Sequence, residues 1–191
     1  METKACTTGR LALAAAAVLS VLPATVAVAQ EPGIGVSVQG AAGSHLGDRG
    51  DTRSIGLGLS FGRRFQVVVN AERSHVPSDV TFFADGYAAT RGATTTFVSG
   101  EFRYVPISYR RLSPYVLVGA GRGVSRPNVD AFFPDRVEHD VLLVFPGFGA
   151  RVRLTGHLDA FADLRLMLQS RVGEPDAGVF GPIRGGLAWR F

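Results

Sequence analysis

Apolar and polar residues alternate with a period of two along most of the chain after residue 33, and helical spacing is hard to find. Such alternation predicts β-strands with one apolar and one polar face. Eight segments carry the pattern, each near the ~9–11 residues that a tilted strand needs to cross a bilayer. They are Ile34–Ala42, Arg53–Gly62, Phe65–Ser74, Thr94–Tyr104, Pro114–Val124, Val141–Arg153, His157–Gln169 and Phe180–Phe191.

The connections between these segments alternate in length. Residues 62–64 and 154–156 form short turns, and residues 105–113 form an intermediate one. The other four connections are longer and rich in Gly, Pro and Asp; they are 43–52, 75–93, 125–140 and 170–179. Short turns at one end and long loops at the other are typical of an up-and-down antiparallel barrel in an outer membrane, whose long loops face outside.

The two faces of each segment differ in a way that indicates which side meets lipid. In the seventh segment, residues 158, 160, 162, 164, 166 and 168 are all Leu or Ala. The other face carries Asp159, Asp163, Arg165 and Gln169 together with Phe161 and Met167. A membrane barrel turns its apolar face outward to lipid and its polar face inward. A soluble, lipocalin-like barrel would reverse this, with the apolar faces inside, and it is the alternative interpretation.

The polar faces bring many charges into one predicted interior. Unpaired buried charges are prohibitive, so we expect these side chains to pair with one another or to meet water. Side chains just fill an eight-stranded barrel, so we expect the charges to plug it. The predicted interior charge network consists of Glu72, Glu101, Arg103, Arg122, Arg151, Arg153, Asp159, Asp163, Arg165, Arg184 and Arg190.

The first 29 residues predict a cleaved secretory signal peptide. Lys4 and Arg10 precede the apolar run Leu11–Leu22, Pro23 interrupts it, and Ala27-Val28-Ala29 is a small-x-small cleavage site. Cleavage leaves a barrel domain over residues 30–191, with 18 basic and 15 acidic residues and neither Cys6 nor the only lysine. A net charge of +3 does not argue for nucleic acid, and no disulfide is needed.

The end of the chain carries a further pattern, because Ile183, Leu187, Trp189 and Phe191 share one phase and Phe191 is terminal. This resembles the C-terminal strand of outer-membrane β-barrels, whose final aromatic residue is read by the barrel-insertion machinery. Size and strand count are similar to the small barrel families that include OmpX and the transmembrane part of OmpA, over about residues 33–191. The resemblance implies an integral protein in the outer membrane of a diderm bacterium, with Trp189 and Phe191 as an assembly signal. The implied partners are outer-membrane lipid, lipopolysaccharide and the insertion machinery.

Catalysis and cofactors find little support in the sequence. Gly119-Ala120-Gly121-Arg122-Gly123 lies inside a strand with no following helix, so it does not predict a nucleotide cofactor. Lipid A deacylases of the PagL type use a Ser-His pair near the outer rim of late strands. Here Ser170 has no nearby histidine, and His157 falls at the opposite end. We therefore predict no catalytic residues and no cofactor.

The predicted loops contain histidines and acids, but none has metal-ligand spacing, so we predict no metal site. Two of the predicted loops each contain a pair of adjacent phenylalanines, Phe82-Phe83 in one and Phe132-Phe133 in the other. Paired loop phenylalanines could form a contact surface. The alternative is an aromatic girdle in the lipid headgroup zone.

The sequence thus predicts a non-enzymatic, monomeric outer-membrane barrel that presents long loops in a structural or surface-interaction role. The alternative function is a narrow pore or a path for a small or hydrophobic ligand, and a lipid-modifying enzyme ranks below both. The sequence does not identify a ligand for the loops.

Overall fold

The computed structural model describes residues 33–191 except 47–49, 84–85, 108, 110, 130–137 and 173–176. The predicted signal peptide, residues 1–29, lies outside the described residues and stays a prediction. No helix in the described part of the chain is long and apolar enough to cross a membrane.

Twelve strands occupy the described residues. They are β1 (Ile34–His45), β2 (Asp51–Phe61), β3 (Phe65–Val76), β4 (Asp79–Phe83), β5 (Gly86–Thr90), β6 (Ala93–Tyr104), β7 (Leu112–Pro127), β8 (His139–Arg153), β9 (Leu158–Arg165), β10 (Met167–Arg171), β11 (Ala177–Phe180) and β12 (Pro182–Arg190). The predicted fold is confirmed: ten of them form a closed antiparallel barrel of eight strands, of which β9 with β10 is the seventh and β11 with β12 the eighth.

Antiparallel pairing runs around the whole barrel. Each strand pairs with the next along the chain from β1 to β3 and from β6 to β9, β3 pairs with β6, and β12 pairs with both β9 and β1. The pair Gly40–Leu187 lies in the middle of the closing ladder. Closure removes the free sheet edges that would otherwise expose unpaired backbone groups.

Two prolines account for the interruption of the seventh and eighth barrel strands. Leu166, between β9 and β10, donates its N–H to the carbonyl of Pro146 at 3.0 Å, but Pro146 has no N–H to return. Pro182, at the start of β12, likewise cannot donate to the ladder. The pairing register is the same on both sides of each interruption, so the barrel wall continues through it.

The strands extend further toward the long connections than the alternation predicts. β1 runs to His45 and β7 to Pro127, so the connections at this end, named the loop end, are shorter than predicted. The longest of them contains the hairpin β4–β5, which the sequence analysis treated as loop. The opposite end, with the connections 62–64, 105–111 and 154–157, is named the turn end.

Outward-facing residues form an apolar band between the two ends. Ile55, Val69 and Leu166 are each about half exposed, at 51%, 52% and 50%. The soluble alternative, with the apolar faces inside, is therefore wrong, because the alternate positions hold the buried charges. Toward the turn end the band carries aromatic rings, including Phe65, which stacks on Phe102 and Tyr104.

Candidate functional site: the barrel interior

Three carboxylates and three guanidinium groups lie together inside the barrel, where each residue is at most 3% exposed. Their formal charges cancel. Strand alternation alone brings them together, since each occupies an inward position of its strand. We name this group the central cluster; it consists of Glu72, Glu101, Asp163, Arg103, Arg165 and Arg184.

Arg165 reaches all three acids of the central cluster. Its guanidinium group bonds to Glu101, lies 3.1 Å from an Asp163 oxygen and 3.4 Å from a Glu72 oxygen. Arg184 binds Asp163 through Nε and Nη2, both at 3.0 Å, and Glu72 at 2.8 Å. A planar fork that meets a carboxylate at two points gives the strongest and most directional charged hydrogen bonds.

Arg103 links the central cluster to the aromatic residues of the interior. It donates to Glu101 from Nε and Nη2, at 3.2 and 2.9 Å, and to the Gln39 side chain at 3.1 Å. Its guanidinium carbon also lies 5.2 Å from the ring centre of Tyr115 and 5.4 Å from that of Phe161. Cation–π contacts of this kind stabilise a guanidinium group that has left water.

Neutral polar side chains complete the hydrogen bonding of the acids. Thr52 donates to Glu72 at 2.9 Å, and Asn70 donates to Glu101 while accepting from Gln39 at 2.9 Å. Tyr115 donates to Asp163 at 3.2 Å. The buried charges therefore meet the requirement that makes ion pairs tolerable in a dry interior, because oxygens and N–H groups find partners.

A second, more open group lies nearer the turn end. Asp159 is 3.0 Å from Arg190 Nε and 4.0 Å from Arg151 Nε, and Arg151 also bonds to the Gln66 side chain. The Arg190 and Arg151 side chains are 27% and 17% exposed, whereas Asp159 between them is buried, so only the arginines of this group reach the barrel surface.

Two predicted members of the interior network lie elsewhere. Arg122 is on the outward face of β7, in phase with Val118 and Ala120; its side chain is 69% exposed and pairs with Asp140 at 2.9 Å. The prediction failed because glycines occupy β7 positions 119, 121 and 123, and these positions face inward. Arg153 occupies a position of β8 that alternation directs inward, as it does Phe145, but it is the last residue of the strand and its side chain is exposed.

The sequence analysis missed an apolar half of the interior. Phe97, Val105, Tyr115, Leu117, Val141, Leu143, Phe145 and Met167 form one buried cluster, mainly on β7 and β8. Phe145 meets the central cluster, because the Arg165 guanidinium lies 4.9 Å from its ring centre. The missed signal was β8 itself, where Val141–Phe145 is apolar on both faces.

Glycines leave the space that these large side chains fill. A Cβ added at Gly119 would lie 2.4 Å from the Phe145 ring, and one at Gly149 would lie 2.8 Å from Tyr115. On the other side of the barrel, a Cβ added at Gly186 would lie 2.7 Å from the Phe161 ring. The glycine pattern near residues 119–123 thus serves packing between neighbouring strands.

A Ser-His pair does occur in the interior, although not where the sequence analysis looked for one. Ser74 Oγ lies 2.8 Å from His45 Nε2, and the His45 ring stacks on Phe180 at 5.1 Å. Both Ser74 and His45 are buried, at 4% and 5% exposed, so neither presents a surface to substrate. Among the described residues, no group of three His, Cys, Asp or Glu side chains could hold a metal ion.

The remaining predicted sites lie on the outside. Trp189 and Phe191 are half exposed on the outward face at the turn end, and the Phe191 N–H donates to the Val36 carbonyl at 3.0 Å. Phe82 and Phe83 fall in β4, and Phe132 and Phe133 lie outside the described residues. The contact surface predicted for these four phenylalanines stays a prediction.

A closed eight-stranded barrel with an apolar outer band and a charged interior defines a class, that of the small integral β-barrels of bacterial outer membranes. The N-terminal β-barrel domain of Pseudomonas aeruginosa OprF matches with a TM-score of 0.54 at 13% identity, over 82% of this chain and 97% of that one. Neisserial surface protein A matches with a TM-score of 0.61 at 12% identity, over 83% and 97%.

Ail, the attachment invasion locus protein of Yersinia pestis, crystallised with the heparin analogue sucrose octasulfate, matches with a TM-score of 0.53 at 16% identity, over 84% and 100%. No protein-family model and no curated protein matches the sequence. At these identities the likeness is one of fold, and it confirms the resemblance to small outer-membrane barrels.

Proposed function

We propose that this chain is a closed, non-enzymatic barrel that anchors in the outer membrane and presents its loop-end segments at the cell surface. The observation that carries the proposal is the pairing of three buried arginines with three buried carboxylates across the interior. An interior so occupied suits a rigid anchor better than a channel, since a conducting lumen needs continuous water.

The apolar cluster supports the same function. Phe97, Leu143 and Phe145 are at most 2% exposed and fill the part of the interior that the charges leave. The charged side chains reach across the barrel, since Arg165 on β9 lies 3.4 Å from Glu72 on β3 and Arg184 on β12 lies 3.7 Å from Glu101 on β6. An eight-stranded barrel is narrow enough for such contact to close it completely.

Export and insertion belong to the proposal as well. The signal peptide predicted over residues 1–29 would deliver the chain across the inner membrane. Trp189 and Phe191 would then serve as the assembly signal for the insertion machinery, and their exposed, outward positions leave both rings accessible. We expect a monomer, because the pairing of β1 with β12 closes the sheet within one chain.

Cysteine labelling tests the orientation of the proposed anchor. In a Cys6→Ser background, Val172→Cys at the loop end and Gly156→Cys at the turn end place one thiol at each exposed end. A maleimide too large for porins should label Val172→Cys on intact cells and Gly156→Cys only after the outer membrane is opened. The reverse pattern would contradict surface presentation of the loop end.

Labelling of the interior tests its closure with the same chemistry. Ser99→Cys replaces an inward side chain that is 2% exposed with one of similar size. In the purified, folded barrel a small methanethiosulfonate reagent should leave this thiol unmodified, whereas Val172→Cys reacts at once. Rapid modification of Ser99→Cys in the folded barrel would instead favour a water-filled path.

A further inference from the structure

Arginines replace apolar residues on the outward face where the strands approach the loop end. On β3 the outward positions are Phe65, Val67, Val69 and Ala71, and Arg73 follows directly. Arg53 lies opposite Arg73 on β2, and Arg126 is the outward residue near the end of β7. Directly above an apolar band, an outward side chain lies at the level of lipid headgroups.

Two of these arginines border an open depression of about 410 Å³ on the barrel wall. Thr96 pairs across the ladder with Arg73, and Thr94 pairs with Arg126, so β6 places two hydroxyl-bearing residues between the two arginines. The full lining is Arg73, Thr94, Thr96, Arg126, Pro127, Asn128 and Val129. We name this depression the loop-end arginine site.

The loop side of the site is held in place by hydrogen bonds. The Asn128 side chain donates to the Val76 carbonyl at 2.9 Å, and its backbone N–H donates to the Gly92 carbonyl at 2.8 Å. Arg91 in turn donates to the Asn128 carbonyl at 3.1 Å. These bonds tie the end of β7 to the end of β3 across β6, so the depression exists before any ligand arrives.

The charges of the site are only partly used within the protein. Arg126 pairs with Glu138 at 2.8 Å, but both side chains are about half exposed. The Arg73 side chain forms no hydrogen bond or ion pair with any other described residue. An exposed guanidinium group without a protein partner, next to hydroxyl groups, is suited to donate hydrogen bonds to the oxygens of a phosphate group.

We infer that the loop-end arginine site binds a phosphate group carried by a lipid headgroup of the outer leaflet. The lipid source follows from position, because the site lies on the outward wall above the apolar band and not inside the barrel. The inference rests on the outer-membrane location of the barrel and on the proposed exposure of its loop end at the cell surface, and it is independent of whether the interior conducts. Lipid binding to the solubilised barrel does not depend on orientation, so its failure is distinct from a failure of the labelling experiment.

The test measures binding of bis-phosphorylated lipid A to the purified full barrel in detergent micelles. Arg73→Gln should weaken binding by about fivefold, since an arginine near a charged lipid surface contributes on the order of 1 kcal/mol. Arg126→Gln should weaken it in the same direction. Arg63→Gln, the same charge change in the exposed turn at the other end, is the matched control and should leave binding unchanged.

Two further arms identify the source of the phosphate. Dephosphorylated lipid A should bind the parent weakly and should not respond to Arg73→Gln, and inorganic phosphate should fail to displace the lipid. Equal binding of both lipids, or an Arg73→Gln variant that binds as tightly as Arg63→Gln, would overturn the inference. Displacement by inorganic phosphate would also overturn it, since the site would then serve free phosphate.

Discussion

The arginines of the barrel wall occupy two environments that place different demands on a guanidinium group. Arg103, Arg165 and Arg184 are buried inside, where carboxylates within 3.4 Å offset the loss of hydration. Arg122 and Arg126 face outward and pair with exposed acids near the loop end. An outward arginine at mid-membrane would cost ~2–4 kcal/mol, which is why outward arginines concentrate near the loop end.

At this scale we predict that Glu101→Gln destabilises the barrel strongly. Glu101 bonds to Arg103 and Arg165, so its neutral isostere leaves three buried guanidinium groups facing two carboxylates. The expected loss is ~3–5 kcal/mol in the free energy of unfolding, because an uncompensated buried charge remains. Urea unfolding of the barrel in lipid vesicles measures this loss.

Asp140→Asn is the matched control for Glu101→Gln. It removes a carboxylate from an exposed pair with Arg122, and such pairs contribute less than about 1 kcal/mol. The double variant Glu101→Gln, Arg103→Gln should recover part of the lost stability, since it restores charge balance. Equal losses for Glu101→Gln and Asp140→Asn would show that the interior is hydrated and the central cluster is not dry.

Glycines on β7 and β8 lie beside large side chains of the neighbouring strand. Gly119, Gly147 and Gly149 face inward, where Phe145, Leu117 and Tyr115 respectively occupy the space beside them. Inward glycines on a strand thus determine where a neighbouring strand can carry an aromatic ring. The resulting apolar half of the interior stands beside the central cluster.

We predict that Gly119→Ala costs ~1–3 kcal/mol, because the new methyl group overpacks the interior. Its Cβ would lie 2.4 Å from the Phe145 ring and 2.9 Å from the Gly100 carbonyl oxygen. Urea unfolding again measures the effect, and adding Phe145→Leu should recover part of it. Gly100→Ala is the control on the outward face, where no atom lies within 4 Å of the new Cβ, and it should be nearly neutral.

Sequence reasoning works at the scale of strands where one face is mostly polar and the other is mostly apolar. In β3 and β9 alternation alone places Glu72, Asp159 and Asp163 inside, because lipid excludes charge from the other face. It fails in β8, since Val141–Phe145 is apolar on both faces and the period of two carries no information there. It fails for Arg122 because glycines, and not polar residues, mark the inward phase of β7.

Other features depend on contacts between strands, which alternation within a strand does not describe. The three-to-three balance of the central cluster follows from the register that brings β3, β6, β9 and β12 together. The interruption beside Leu166 follows from a proline on the neighbouring strand. The loop-end arginine site likewise combines β3, β6 and β7, and no single segment reveals it.

For the whole molecule, the proposed role as an anchor depends on an interior that is closed to bulk flow by charged and apolar side chains together. The barrel pairs its first strand with its last, so the wall is continuous, and conduction could occur only along the axis. The central cluster and the apolar cluster meet inside the barrel, where the Arg165 guanidinium lies 4.9 Å from the ring centre of Phe145.

Single-channel recording in planar bilayers tests this claim most directly. The parent barrel, with membrane insertion verified independently, should give no discrete current steps. A Glu101→Ala, Arg165→Ala variant that still folds should give steps, because it removes one acid and one arginine together and opens the axis. Stable conductance steps from the parent barrel itself would contradict the closed interior and show that the chain is a pore.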